Sequence, residues 1–178
     1  MNSYIFKANG ILWSSCRDYY VDIMLELEKK YKVDRVIIYN LEHEYRNFII
    51  DCYKHDEDVM SDGYIDDKVK RLLEDDNTIV VGFTLSINNP EYRYGARNNL
   101  QCIQARNIKE IIRQNFSKKI YNYFLDNIIH LSDNEQESNI LEVLFTKYQN
   151  YAIKRYLLSE CKHDFSSLSN KNNGIEIG

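Results

Sequence analysis

The apolar segment 78–85, TIVVGFTL, constrains the fold of this chain more than any other stretch. Its length and its β-branched residues predict a strand buried inside a sheet. Three shorter apolar runs, at 4–6, 33–39 and 127–130, are also predicted strands, and Asn9-Gly10 after the first of them is a turn signal. A sheet with such an interior strand needs helices packed on it.

Helical periodicity occupies the intervals between these strands. In 16–31 the apolar residues recur at three- and four-residue steps, which predicts an amphipathic helix. Further helical patterns lie at 43–55, 65–74, 135–145 and 146–160. The polar segment 87–117 is predicted to form short helices joined by loops. The Ser-, Asn- and Gly-rich segment 164–178 is predicted to be a frayed tail.

This order of elements predicts an α/β (α+β) fold. The simplest arrangement is a ferredoxin-like βαββαβ sandwich, in which helices cover a four-stranded antiparallel sheet. A doubly wound parallel sheet is the second choice, because only four strands are predicted and no glycine-rich phosphate loop is present. We expect one domain over 1–163, with a core at 1–146, a helical extension at 147–163 and a flexible tail at 164–178.

Composition narrows the class of protein. The 178 residues are 44% hydrophobic and 28% charged, as in a globular domain with its own core. The net charge of -4 does not favour binding to nucleic acid or to acidic membranes. No apolar stretch approaches the roughly 20 residues that cross a bilayer, and no secretory signal is visible. The four cysteines are scattered without a CxxC pair, so we expect reduced thiols, no structural zinc and a cytoplasmic location.

The segment 126–138, DNIIHLSDNEQES, poses the functional question. His130 ends a predicted strand, where a histidine is often a hydrogen-bonded core residue, but a nucleophile can also stand there. Ser132 and Asp133 follow as candidate helix caps. These residues alone leave both interpretations of His130 open.

The segment resembles the nucleoside diphosphate kinase family. In that family Asn, two apolar residues and the nucleophilic histidine precede Gly-Ser-Asp and a helix that bears a glutamate. This chain has NIIH at 127–130, then LSD at 131–133, with Leu131 in place of the glycine. The N-terminal YIFKANGI is similar to the family's first strand, since Lys7 and Gly10 match while Ala8-Asn9 replaces Pro-Asp.

Further matches follow in order along the chain. The segment 94–116, YGARNNLQCIQARNIKEIIRQNF, resembles the stretch that links the family's two phosphate-binding arginines, which implies these roles for Arg97 and Arg113. Tyr53 lies where the family has a tyrosine near its phosphate site. The family's Thr-Asn-Pro loop is replaced here by CIQARN, and about four residues are inserted before Asn127.

The resemblance implies a phosphotransferase. A nucleoside triphosphate such as ATP, carrying Mg²⁺, would phosphorylate His130, and a nucleoside diphosphate would then collect the phosphoryl group in a ping-pong reaction. It implies nucleotides as the partners, no dedicated metal ligands and a homo-oligomer. It also implies a site that consists of His130, Lys7, Glu142, Tyr53, Tyr64, Arg97, Arg113, Asn127 and Ser132.

Each of these residues has an implied role. Glu142 would fix the imidazole tautomer with the help of Ser132, and Lys7 would place a point charge on the transferred group. The two arginines would grip phosphate oxygens in pairs of hydrogen bonds. Asn127 would bind a sugar hydroxyl or phosphate, and Tyr64 would stack on the base.

Other interpretations remain open. The arginines and Glu142 are also typical of exposed helix charges, and Tyr64 of a core or rim aromatic. Arg93, Arg106 and Lys109 are predicted to be exposed helix charges. A catalytically inactive nucleotide-binding or protein-interaction domain, or a kinase of the same fold with another phosphorylated substrate, are the alternative functions.

Overall fold

A computed structural model describes residues 3–61 and 63–157. In that part of the chain the strands are β1 (Ile5–Leu12), β2 (Lys32–Asn40), β3 (Ile79–Asn88), β4 (Tyr92–Tyr94), β5 (Leu100–Cys102), β6 (Ile129–Leu131) and β7 (Ala152–Leu157). The α-helices are α1 (Tyr20–Lys30), α2 (Tyr45–Tyr53), α3 (Glu57–Met60), α4 (Tyr64–Leu72), α5 (Ile103–Phe116) and α6 (Glu135–Lys147). Short 3₁₀ turns lie at Ser14–Tyr19, Glu42–Glu44, Ser117–Lys119 and Gln149–Tyr151. None of the described helices is long and apolar enough to span a membrane.

The main sheet has the strand order β6-β1-β3-β2-β7, and every neighbouring pair is antiparallel. Its first four strands have the order of a ferredoxin-like βαββαβ unit, which confirms the predicted fold class. The parallel alternative is wrong because no neighbouring strands in this sheet run in the same direction. The strand predicted at 78–85 is β3, in the middle of the sheet.

Helices cover both faces of the sheet. Alternate residues of β3 point to opposite sides, so Phe83 packs in the cluster under α1 and α5, while Val80 packs in the cluster under α2, α4 and α6. This burial on both faces explains why the β3 sequence is continuously apolar rather than alternating. The second cluster contains Trp13, and three of its other members, Cys52, Tyr53 and Leu141, line the cavity described below.

The first strand is longer than predicted, because Asn9-Gly10 lies inside β1 and forms no turn. Gly10 pairs with Phe83, and a Cβ at this position would lie 2.4 Å from Phe83 Cζ and 2.9 Å from the His130 carbonyl oxygen. The glycine therefore makes room for a neighbouring ring and for close approach of β6, which a sequence signal for turns does not distinguish.

The helix predicted at 146–160 is also wrong. After α6 ends at Lys147, a 3₁₀ turn leads into β7, which pairs with the free edge of β2. An open sheet edge offers unpaired backbone donors and acceptors, and this pairing decides the conformation of a segment with weak local preference. The rest of the predicted extension, 158–163, and the predicted tail lie outside the described residues.

The polar segment 87–117 forms the β4–β5 hairpin followed by the long helix α5, rather than several short helices. Asn98, in the hairpin loop, has a φ of 58°. Asparagine adopts this left-handed conformation more readily than most residues, so it suits a tight connection between two strands.

Candidate active site

The imidazole of His130 faces the helix-covered side of the sheet that contains α2, α4 and α6. His130 pairs with Ile11 across β1 and β6, and opposed residues of antiparallel strands share a face. Ile129 and Leu131 point to the other side and are buried in the opposite cluster. The bulk that Leu131 adds beside the histidine is thus directed away from the imidazole.

Tyr53, at the end of α2, contacts the imidazole edge to face. The two ring centroids are 5.0 Å apart at an interplanar angle of 71°. The indole of Trp13 in turn stacks on the Tyr53 ring, and these two ring centroids are 6.0 Å apart. These contacts fix the position of the imidazole by packing, since aromatic pairs favour such geometries.

Three cations surround His130. Burial lowers the pKa of the imidazole well below 6.5, and the nearby charges of Lys109, Lys68 and Arg113 lower the pKa further, in that order. The imidazole is therefore neutral at pH 7, which is the form that can act as a nucleophile. No hydrogen bond from the described residues reaches either of its ring nitrogens.

Lys109, on α5, is buried rather than exposed, which corrects its prediction as a helix charge. Its Nζ donates to the Leu131 carbonyl at 3.2 Å and to Asp133 Oδ1 at 3.0 Å. The Lys109–Asp133 ion pair thus connects α5 to the chain that follows β6. Arg93 and Arg106, from the same segment, also depart from that prediction, because Arg93 is exposed but lies on β4 and Arg106 is half-buried on α5; both line the cavity.

Arg113, one turn further along α5, is mostly enclosed. Its guanidinium donates to the Ile129 carbonyl at 3.3 Å and forms ion pairs with Glu110 at 3.4 Å and Asp126 at 3.7 Å. Its Nε is buried and has no hydrogen-bond partner among the described residues.

Sequence reasoning missed Lys68, on α4. Its side chain is 2% exposed, and its Nζ lies 5.0 Å from the Tyr53 ring centroid and 5.9 Å from that of Trp13. A signal was available, because Lys68 stands on the buried stripe of α4 beside Ile65 and Val69. Lysine is rarely buried unless it has a specific partner or role.

Arg97 and Tyr64 both line the cavity. Arg97, in the hairpin loop, forms an ion pair of 2.8 Å with Asp58 of α3, and both side chains are exposed. Tyr64 begins α4 and is half-buried. The cavity has a volume of about 1570 Å³. The residues that line it include Tyr53, Asp58, Tyr64, Lys68, Arg93, Arg97, Arg106, Lys109, Arg113, Asp126, His130, Leu131 and Asp133.

The structure does not bring Lys7 or Glu142 to His130. Because β1 continues through Asn9-Gly10, Lys7 lies four residues from the partner of His130, about 13 Å along the strand. Its Nζ is 2.6 Å from both Asp34 Oδ2 and Ser86 Oγ. The expected charge on the transferred group therefore does not come from Lys7.

The Glu142 carboxylate is bound by Arg35 at 2.8 and 2.5 Å and by Asn9 Nδ2 at 3.1 Å. The hydrogen bonds from Arg35 lower the pKa of Glu142 below its ordinary value. This carboxylate joins α6 to the sheet and does not orient the imidazole, which corrects its expected role.

Asn127 and Ser132 are both buried, outside the cavity. Asn127 Oδ1 accepts from the Phe124 amide at 3.4 Å, and its carbonyl accepts from Ser15 Oγ. The Ser132 amide donates to the Asn9 carbonyl at 3.0 Å, and its Oγ has no partner among the described residues. Asn134, rather than Ser132 or Asp133, caps α6 by accepting from the Glu137 amide at 2.9 Å.

Solved structures with the same fold are nucleoside diphosphate kinases. The enzyme from Aquifex aeolicus superimposes with a TM-score of 0.52 at 10% identity, over 80% of this chain and 95% of that one. The enzyme from Halobacterium salinarum, solved in complex with CDP, gives a TM-score of 0.51 at 15% identity, over 92% of this chain and 97% of that one. No protein-family model matches the sequence, and no curated protein matches it. The chain therefore has the fold of nucleoside diphosphate kinases at very low identity.

Proposed function

We propose that this protein is a phosphotransferase that moves the terminal phosphoryl group of a nucleoside triphosphate to a nucleoside diphosphate, with His130 as the covalent carrier. The observation that carries the proposal is a neutral imidazole that faces a cavity among three cations, Lys68, Lys109 and Arg113. A neutral imidazole is a nucleophile, and fixed cations stabilise the charge that phosphate oxygens bear in the transition state.

The proposed reaction has two displacements. In the first, an unprotonated nitrogen of His130 attacks the terminal phosphorus, a P–N bond forms, and the diphosphate leaves with the electron pair of the broken P–O bond. In the second, a terminal oxygen of another nucleoside diphosphate attacks phosphorus, and the P–N electron pair returns to the imidazole. Mg²⁺ enters with the nucleotide, as part of the substrate.

The remaining cavity residues bind and position the nucleotide in this proposal. Arg113 lines the cavity, and its guanidinium binds a phosphate oxygen in this proposal. Arg97 exchanges Asp58 for phosphate, which is feasible because the ion pair is exposed and therefore weak. Tyr64 offers a ring on which a base can stack. From the resemblance we also propose a homo-oligomer, and from the scattered cysteines a cytoplasmic location.

One observation favours the alternative of a nucleotide-binding or protein-interaction domain without catalysis. Within the part of the chain that the structure describes, no hydrogen bond selects a tautomer of His130. In that case the cavity would bind nucleotides, and no phosphohistidine would form.

Nucleotide exchange tests the proposal. Purified protein with Mg²⁺, ATP and GDP should form GTP, with the parallel double-reciprocal lines of a ping-pong reaction. His130→Ala should lower the rate at least about a thousandfold, because it removes the nucleophile. His55→Ala is the matched control, since His55 lines the same cavity and has no proposed role. Equal rates for His130→Ala and wild type would refute the assignment, whereas GDP binding without exchange would support the alternative.

A further inference from the structure

The Lys68 ammonium is a buried cation without a carboxylate partner in the described chain. Lys109 and Arg113 both form ion pairs, but no carboxylate oxygen of the described residues lies within 4.0 Å of Lys68 Nζ. Its Nζ donates to two backbone carbonyls, those of Leu125 at 2.7 Å and Asp126 at 3.5 Å. A buried charge is costly unless it is paired, so an anion that bound in the cavity beside Lys68 would be stabilised.

The surroundings of Lys68 keep it charged near neutrality. The titratable, charged and aromatic groups around it come from several elements: Cys52 and Tyr53 of α2, Trp13 after β1, Asp126 in the loop before β6, Arg113 of α5 and His130 of β6. Burial lowers the pKa of Lys68 to about 8, while Cys52 and Asp126 raise it and Arg113 lowers it. At pH 7 the ammonium is therefore mostly protonated.

Lys68 and His130 share one wall of the cavity. The Lys68 ammonium and the His130 ring each lie 5.0 Å from the centroid of the Tyr53 ring. Two of the three N–H groups of an ammonium are used by the backbone carbonyls, which leaves one for a ligand. Lys68 and His130 both line the cavity, and the charge of Lys68 acts on the imidazole, so a phosphate bound beside His130 would also interact with the Lys68 charge.

We propose that Lys68 binds the terminal phosphoryl group that is transferred at His130, and so supplies from α4 the charge expected from Lys7 on β1. This inference rests on the proposed function for the identity of the substrate. Binding of a phosphate group by Lys68, however, requires only that a polyphosphate enters the cavity. The transferred group supplies the missing negative partner of Lys68. The lysine is then a catalytic residue, because it contacts the reacting group.

Tripolyphosphate binding, measured by calorimetry, tests this role without requiring phosphoryl transfer. Lys68→Met should weaken binding at least about tenfold, because a charge-assisted hydrogen bond is lost. Lys70→Met is the matched control, since Lys70 stands on the exposed face of the same helix, and it should bind as wild type does. Affinity of Lys68→Met within twofold of wild type would overturn the proposal.

The pH dependence separates this role from a purely structural one. Between pH 7 and 9 the wild type should lose affinity relative to Lys68→Arg, because the lysine loses its proton through about pH 8 and a guanidinium does not. If Lys68→Met fails to fold, this comparison alone decides. Identical pH profiles would overturn the proposal. Lys68-dependent binding in a protein that forms no phosphohistidine would refute the proposed function and leave this inference standing.

Discussion

The charge state of one side chain, His130, governs the chemistry available in the cavity. Sequence alone singles out this histidine and Arg113, because each stands in a segment with several neighbouring matches, whereas Tyr53 is assigned only from its position in a predicted helix. Lys68 and Lys109 could not be found in the same way. A lysine becomes an interior cation only when helices from distant parts of the chain enclose it, and that is a tertiary outcome.

An NMR titration of the histidine ring signals should show His130 titrating well below pH 6.5, because burial and three cations disfavour its protonation. His55, which is exposed on the cavity wall, is the internal reference, and a His130→Gln variant assigns the signals. The unfolded chain takes up this proton at higher pH, so His130 should reduce stability as pH falls below 6.5. A His130 signal that titrates at 6.5 or above would contradict the burial of this imidazole among three cations.

Strand lengths and strand pairings explain where the sequence-based predictions of the site and of the C-terminal helix are wrong. The resemblance implies that Lys7 lies at the end of the first strand, but β1 continues through Gly10, which packs closely against Phe83, to Leu12, and Lys7 does not line the cavity. The segment that forms β7 similarly takes its conformation from the free edge of β2 rather than from its own periodicity. Both errors arise from contacts between elements, which local patterns do not contain.

Glu142→Gln tests the corrected role of α6. Because Glu142 joins Arg35 of β2 to α6 in a half-exposed ion pair, its loss should lower the free energy of unfolding by about 1 kcal/mol or less. Nucleotide exchange should continue at the wild-type rate. Chemical denaturation and the exchange assay measure the two effects. An exchange rate that falls by orders of magnitude would contradict the structural role and indicate that Glu142 takes part in catalysis.

The overall fold of the molecule follows from the alternation of apolar strands and amphipathic helices along the sequence. That pattern predicts the order β6-β1-β3-β2 because few arrangements cover both faces of a short sheet. The composition of the cavity is harder to predict, since its cations come from α4, α5 and the β4–β5 hairpin, His130 from β6 and Tyr53 from α2. The fold is therefore much more predictable from this sequence than the composition of its site.

Covalent labelling of His130 tests the account most directly. The protein should be incubated with Mg²⁺ and ATP labelled in the terminal phosphate, freed of nucleotide and digested, and the labelled peptide sequenced. The account predicts up to one acid-labile, base-stable phosphoryl group per chain, located on His130 and released quantitatively when a nucleoside diphosphate is added. Label on another residue, or none under conditions that label a nucleoside diphosphate kinase, would contradict it.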